Sequence, residues 1–131
     1  MPRTVLFDSN ILIYTLQKKN QYIELWEKYA KDMLCISSLT LFEVMNGTFT
    51  SSEASREALD FLTTFIVIDV STEISVLASE LFQARRNNNQ LLKPTIDFII
   101  EATALLKQIP VVTADKSGFL QAKAKGLLIL E

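Results

Sequence analysis

Five short apolar segments constrain the fold of this chain more than any other feature. They are rich in Val, Ile and Leu and show no alternation with polar residues, which is typical of strands buried on both faces. Strands of this kind occur in parallel sheets covered by helices on both sides. The predicted strands are Thr4–Phe7, Met33–Ile36, Phe65–Val70, Pro110–Thr113 and Leu127–Leu130.

Helical patterns lie between these segments. Apolar residues recur every three or four positions around Trp26, Ala58, Leu77 and Ile99, as on the buried face of a helix. Helix boundaries are predicted by Thr50 with Glu53 as a capping box, by Ser71 and Thr72 as caps, and by Gly126 as a helix stop. Strands that alternate with helices predict one α/β domain over residues 1–131.

Several residue types are absent or rare, and this narrows the chemistry. The chain has no histidine and one cysteine, Cys35, so histidine-based triads and the usual zinc centres are excluded. Its three glycines lie too far apart for a phosphate-binding glycine loop. The formal net charge of −2 gives no general attraction for nucleic acid. The lone cysteine and the lack of a long apolar run or leader-like start predict a cytoplasmic protein without a membrane span.

Four acidic residues fall where a parallel sheet of this kind binds ligands. Asp8 follows the first predicted strand and Asp115 the fourth, Glu43 lies in the helix after the second strand, and Asp97 lies in the first turn of a later helix. Strand ends and helix starts meet at the carboxyl edge of such a sheet, so all four acids are expected there.

Each acid also has a simpler explanation when it is taken alone. Asp8 and Asp115 could cap helices, Asp97 could favour a helix N-terminus, and Glu43 could be a surface residue. Four acids converging on one edge are harder to explain in this way. Carboxylates held close together either take up protons or bind cations, and all-oxygen ligands suit Mg²⁺ or Mn²⁺.

The sequence resembles the PIN-domain ribonucleases, and within them the VapC-like toxins of type II toxin-antitoxin pairs. The matching segments are "VLFDSNILI", "SSLTLFEVMNG", "DFIIEATAL" and "VVTADKSGF", and their order and spacing span nearly the whole chain. The resemblance implies a three-layer α/β/α sandwich around a central parallel five-stranded sheet. It also implies metal-dependent hydrolysis of RNA.

Carried over by motif, the resemblance gives roles to particular residues. Asp8, Glu43, Asp97 and Asp115 would be the catalytic and metal-binding acids, with Mg²⁺ or Mn²⁺ as cofactor. Two small polar residues that would orient the site are Asn10 and Thr113. A cognate antitoxin and a homodimer are the partners typical of this group.

Two positions depart from the pattern of the family. Glu101 stands one helical turn after Asp97 where relatives carry a small residue, and it is either a fifth acid or a residue that points to solvent. After Asp115, where relatives often have another acid or Asn, this chain has Lys116, Ser117 and Gly118. The occupancy of a second metal position therefore stays open.

Basic and aromatic residues suggest two further surfaces. RNA contacts are predicted at Arg85, Arg86, Lys93 and Lys116, with a solvated helix end as the alternative. The aromatic residues Trp26, Tyr29, Phe61 and Phe65 are interpreted mainly as core, with any remaining surface serving a homodimer or an antitoxin groove.

Two other functions stay open on the sequence. A haloacid-dehalogenase-type phosphohydrolase also has an aspartate after a strand, but it needs a second acid two residues later, where this chain has Asn10. A PIN-like scaffold that binds RNA or protein without cleavage is the non-enzymatic alternative. Metal-dependent cleavage of RNA would separate the proposed nuclease from both.

Overall fold

The computed structural model describes residues 2–17, 22–47, 51–90, 92–115 and 117–131. Within these ranges the strands are β1 (Thr4–Phe7), β2 (Met33–Ser37), β3 (Ile66–Ile68), β4 (Val111–Thr113) and β5 (Leu128–Leu130). The helices are α1 (Ser9–Gln17), α2 (Ile23–Lys28), α3 (Ser38–Asn46), α4 (Ser52–Leu62), α5 (Thr72–Asn87), α6 (Thr95–Lys107) and α7 (Leu120–Ala124).

The five described strands form one parallel sheet in the order β3-β2-β1-β4-β5. The first strand therefore lies in the centre, and the chain builds outward from it in two directions. This reversal of direction between β1 and β4 leaves a crevice at the carboxyl ends of the two strands, because the connections after them leave toward opposite faces.

Alternating side chains of β1 divide the core into two layers. Val5 and Phe7 pack in a cluster with residues of α1 and α4, whereas Leu6 packs in another with residues of α6 and α7. Successive side chains of a strand point to opposite faces, so helices cover both sides of the sheet. The prediction of a three-layer α/β/α sandwich with a central parallel five-stranded sheet is confirmed.

The two edge strands correct one part of the prediction. Ile66 and Val67 of β3 are 47% and 40% exposed, and Leu130 of β5 is 48% exposed. An unbroken apolar run does not distinguish an edge strand from a central one, and only the central strands are covered on both faces. The predicted strand from Phe65 to Val70 is also longer than the observed β3.

Serine residues cap the first turns of α4 and α5, and a glycine follows the end of α7. The Ser71 hydroxyl accepts a hydrogen bond from the Ile74 N–H at 3.1 Å, as predicted for this cap. At α4 the cap is Ser51, which accepts from the Ala54 N–H at 3.0 Å; the predicted cap, Thr50, lies outside the described residues. Gly126 has φ of 71° just after α7, which fits the predicted helix stop.

The aromatic residues singled out from the sequence are mainly core. Phe7, Trp26, Tyr29, Phe61 and Phe65 stack against one another, mostly edge to face, with ring centroids 5.0–5.8 Å apart. Tyr29 is fully buried. In the part of the chain that the structure describes, no helix is both long and apolar enough to cross a bilayer.

Candidate active site

The crevice between β1 and β4 brings the predicted acids to one edge of the sheet. Asp8 is the first residue after β1, and Asp115 is the second residue after β4. Glu43 lies in the helix that follows β2, and Asp97 is the third residue of α6. Asp97 lies within electrostatic reach of the other three acids, since each of them raises its pKa.

Asp8 is a buried carboxylate held by a threonine of the neighbouring strand. It is 2% exposed, and the Thr113 hydroxyl donates a hydrogen bond to its Oδ2 at 2.7 Å. Burial raises the pKa of Asp8, and hydrogen bonds from Thr113 and the Ser9 backbone oppose that shift. Thr113, a predicted orienting residue, is therefore placed in direct contact with Asp8.

The same threonine connects Asp8 to Asp115. The backbone N–H of Asp115 donates to the Thr113 hydroxyl at 3.0 Å, so this hydroxyl accepts from one site residue while it donates to another. A hydroxyl can do both at once. Thr113 thus sets the relative position of the segments that carry the two acids.

Asp115 is oriented by the turn that follows it. Its Oδ1 accepts hydrogen bonds from the N–H groups of Ser117 and Gly118 at 3.0 and 3.1 Å and from the Ser117 hydroxyl at 3.0 Å. A Cβ at position 118 would lie 2.6 Å from Asp115 Oδ2, which explains glycine there. Ser117 and Gly118 therefore support the fourth acid.

Asp97 has the most strongly perturbed carboxyl group at this edge. Burial raises its pKa from 3.8 to about 7; the charge of Asp8 adds to the shift, as do Asp115 and Glu43, while Lys93 opposes it. A carboxyl group in this state exchanges a proton for a cation near neutral pH.

Two residues at this edge were not anticipated from the sequence. The buried Ser9 hydroxyl donates to the buried Thr40 hydroxyl at 3.3 Å, which joins the start of α1 to α3, the helix that carries Glu43. Asp8 and Ser9 are neighbours, so this contact helps to place Glu43 relative to Asp8. The available signal was a hydroxyl residue next to Asp8 and another one helical turn before Glu43, but hydroxyls are too common in helices for spacing to pair them.

The donor set fits an oxygen-preferring divalent ion in its chemistry. In residues 2–17, 22–47, 51–90, 92–115 and 117–131, however, no three acidic or thiol side chains lie close enough together to hold one ion. The acids interact through space, since Asp8, Asp115 and Glu43 each raise the pKa of Asp97.

Glu101 fits neither of the two roles predicted for it. It is 1% exposed, so it does not point to solvent. Its Oε1 accepts from Lys93 Nζ at 2.8 Å, and its Oε2 accepts from the N–H groups of Gln121 and Ala122 at 3.0 and 3.1 Å. Both oxygens face protein donors, which distinguishes this carboxylate from a fifth metal-binding acid.

The predicted RNA-contacting residues separate into two groups. Arg85 and Lys93 are buried, with Arg85 at 7% exposure and the Lys93 side chain at 6%, so the prediction that they form a surface for RNA is wrong. The cause is that the last turn of α5, with Arg85, and the segment before α6, with Lys93, pack inward on Phe98, over whose ring both cations lie. Arg86 is exposed at the end of α5. Lys116 lies outside the described residues.

Asn10, the other predicted orienting residue, is exposed in the first turn of α1. Its role stays a prediction.

The parallel sheet and its acidic carboxyl edge define an α/β protein with a candidate active site at the crevice between β1 and β4. A sequence profile of the PIN domain matches residues 5–125. The chain therefore belongs to the PIN domain family, and its predicted resemblance to VapC-like PIN proteins is confirmed.

Solved structures agree with this assignment. The chain is 26% identical to a chain of VapBC2 from Rickettsia felis bound to a promoter DNA fragment, with a TM-score of 0.77 and coverage of 98% of this chain and 97% of that one. For a toxin-antitoxin complex from Klebsiella pneumoniae the identity is also 26%, the TM-score is 0.70, and 95% of each chain is covered.

A third structure, VapBC-1 from Haemophilus influenzae, shares the fold at 21% identity, with a TM-score of 0.76 and 97% of each chain covered. A search of curated protein sequences gave no match.

Proposed function

We propose that this protein is a metal-dependent endoribonuclease that acts as the toxin of a toxin-antitoxin pair. The observation that carries the proposal is the acidic edge, where the buried Asp8 and the partly buried Asp97 have raised pKa values and lie within electrostatic reach of Asp115 and Glu43. Membership of the PIN domain family and similarity to VapBC complexes support it.

Each site residue has a distinct part in this proposal. Asp8 and Asp97 would hold Mg²⁺ or Mn²⁺, together with Asp115 and Glu43, and the ion would supply an activated water and neutralise the phosphate. Thr113 fixes the carboxylate of Asp8, and the turn at Ser117 and Gly118 fixes that of Asp115. With a pKa raised to about 7, Asp97 would give up its proton near neutral pH to take part in holding such an ion.

The test is cleavage of end-labelled RNA of mixed sequence with Mn²⁺, with Mg²⁺ or with EDTA. Wild-type protein should cut only with a divalent ion, and Asp8→Asn should not cut. Asp60→Asn is the matched control, because Asp60 is an exposed aspartate on α4 and the substitution makes the same change of charge. Full activity in EDTA would rule out the proposed mechanism.

A non-catalytic scaffold is the alternative if folded, metal-binding protein cuts no RNA in that assay. The haloacid-dehalogenase alternative gains no support, since the chain belongs to the PIN domain family.

We propose that the antitoxin binds in an apolar groove between α1, α2 and α4. Two adjoining cavities of about 290 and 540 Å³ share Leu16 and Glu57, and Ile23, Trp26 and Phe61 line the larger one. Ile23 is 57% exposed. An amphipathic segment that buries its apolar face in such a groove would use this surface.

The groove is tested with the protein encoded beside this chain in its genome. Ile23→Glu should abolish co-purification of the two proteins and leave RNA cleavage unchanged. Val76→Glu, at a 53% exposed position on α5, is the matched control and should retain the partner. Loss of the partner in both variants, or in neither, would argue against the groove.

A homodimer and a cytoplasmic location complete the proposal. Sedimentation equilibrium of the isolated protein tests the first, and fractionation of the producing cells tests the second.

A further inference from the structure

Glu101 joins three segments of the chain through one buried carboxylate. It lies on α6, it binds Lys93 just before that helix, and it accepts N–H groups from Gln121 and Ala122 at the start of α7. The first two segments are adjacent in sequence, but α7 is reached only after β4. The contact therefore fixes the distance between α6 and α7.

The side chain of Lys93 is nearly as enclosed as that of its partner, at 6% against 2% exposure. Its ammonium nitrogen lies 4.9 Å from the ring centroid of Phe98 and 4.3 Å from that of Phe119, where the faces of aromatic rings attract a cation. Phe119 is fully buried and has a left-handed backbone, with φ of 53° and ψ of 41°. Such a conformation persists in a residue other than glycine only when its surroundings hold it. Lys93 contacts the ring of Phe119, and the residues bound to Glu101 follow Phe119 closely in the chain.

The segments that the pair joins are those that carry two acids of the candidate site. Asp97 lies one helical turn before Glu101 on α6. Asp115 is bound by Ser117 and Gly118, which lead directly into Phe119 and α7. Displacement of α7 would therefore move the turn that orients Asp115, while Asp97 stayed on α6.

Stability alone is a weak reason for this arrangement. A buried ion pair costs much of its attraction in lost hydration, and well-packed apolar residues often serve stability as well or better. A charged pair adds a defined orientation that apolar contacts lack, because the two oxygens of Glu101 are held by donors from two different segments.

We propose that Lys93 and Glu101 are positioning residues, whose buried ion pair sets the spacing between Asp97 and the Asp115 turn. The inference rests on the proposed metal-dependent nuclease. It predicts that loss of the pair weakens the metal site in protein that is still folded.

The test uses the full chain in two variants. Glu101→Gln keeps the size of the side chain and removes its charge, and the double variant Lys93→Met with Glu101→Leu replaces the pair by apolar residues, in case the single variant does not fold. Asp32→Asn is the control, because it removes the charge of an acid in the ion pair with Arg3 at 3.3 Å, whose Arg3 side chain is 51% exposed.

Mn²⁺ affinity is measured by calorimetry without RNA, and cleavage is measured as separate kcat and KM values. Supporting partners of metal ligands typically contribute about 10- to 100-fold to metal affinity or activity. Both variants should therefore lose Mn²⁺ affinity and kcat by about this factor, with KM for RNA unchanged. Asp32→Asn should match wild type.

A folded variant with wild-type Mn²⁺ affinity and kcat would overturn the proposal and leave the pair with a purely structural role. The proposed nuclease is judged separately, on wild-type protein. If wild type neither binds Mn²⁺ nor cuts RNA, that function fails, and the amide resonances of Ser117 and Gly118 decide the positioning role. They should shift in both variants, and unchanged resonances would refute it.

Discussion

Asp8 and Glu101 are two carboxylates that the fold buries almost equally, yet their surroundings are opposite. Asp8 is 2% exposed and lies within reach of other acids, with a neutral hydroxyl bound to it. Glu101 is 1% exposed and has an ammonium group and two backbone N–H groups bound to it. Burial by itself therefore does not identify a functional acid; the nature of its partners does.

The difference follows from what burial demands of a charge. An ionised carboxylate inside a protein must be compensated by a cation or by hydrogen bonds, or it takes up a proton. Lys93 compensates Glu101 within the chain. The acidic edge contains more carboxylates than its hydrogen bonds compensate, so it is the part of the molecule suited to an external cation.

Removal of an acid from the edge should have the largest effect on RNA cleavage. Asp8→Asn and Asp97→Asn should each reduce RNA cleavage by more than the roughly 100-fold upper end seen for residues that only support a ligand. Both variants should stay folded. The measurement is the initial rate of RNA cleavage with Mn²⁺, with circular dichroism to verify folding. A folded Asp97→Asn variant with full activity would remove Asp97 from the site.

The stability of the folded protein should depend on Glu101 and not on Asp8. Glu101→Ala leaves Lys93 buried without its carboxylate, which should lower the free energy of unfolding by about 3–5 kcal/mol. Asp8→Asn should leave it unchanged or raise it, because burial disfavours the ionised form of Asp8. Urea denaturation at pH 7 without divalent ions measures both. Equal losses in the two variants would show that the two acids are compensated alike.

Metal binding at the acidic edge should depend on pH through Asp97. Asp97 has a pKa of about 7, so below that pH a cation must displace its proton. Mn²⁺ affinity should rise about tenfold per pH unit up to about pH 7 and then level off, as calorimetry between pH 5 and 8 can measure. Asp97→Asn should flatten this rise. A wild-type affinity independent of pH would contradict the assignment.

The raised pKa of Asp97 also makes the stability of the metal-free protein depend on pH. Because the pKa of Asp97 is raised on folding from 3.8 to about 7, its proton stabilises the folded state fully below pH 3.8. That contribution is lost as the pH rises through about 7.

The smallest expected effect concerns the hydroxyl that holds Asp8. Thr113→Val keeps the shape of the side chain but removes the hydrogen bonds to Asp8 and Asp115, and it should lower kcat about tenfold. Thr113→Ser should restore most of the activity. Thr103→Val is the control, since the buried Thr103 hydroxyl bonds only the Ile99 carbonyl within its own helix among the contacts described. Equal losses at Thr113 and Thr103 would indicate a general effect of losing a buried hydroxyl.

Much of the fold could be predicted because it depends on local pattern. The apolar runs of β1 and β4 mark strands, and the period of α5 marks a helix with Ser71 as its cap. The edge strands were predicted less well, because β3 is as apolar as β1 although Ile66 and Val67 are exposed. Strand order, which decides which strand is an edge, is not a local property.

The candidate site, too, could be predicted from the sequence only in part. Placing Asp8, Glu43, Asp97 and Asp115 at one edge needed only their positions after strands and in helices, and the order of those elements. The contacts of Ser9 with Thr40, and the burial of Arg85, needed side-chain directions that spacing does not give.

The sequence by itself determined the parallel α/β architecture and the edge at which the acids collect, because hydrophobic period and strand-end position are encoded in neighbouring residues. Only the tertiary structure decided that Glu101 belongs to Lys93 and α7 and not to the acids one helical turn away. A carboxylate takes its role from the charges and donors that surround it, and those come from segments far apart in the chain.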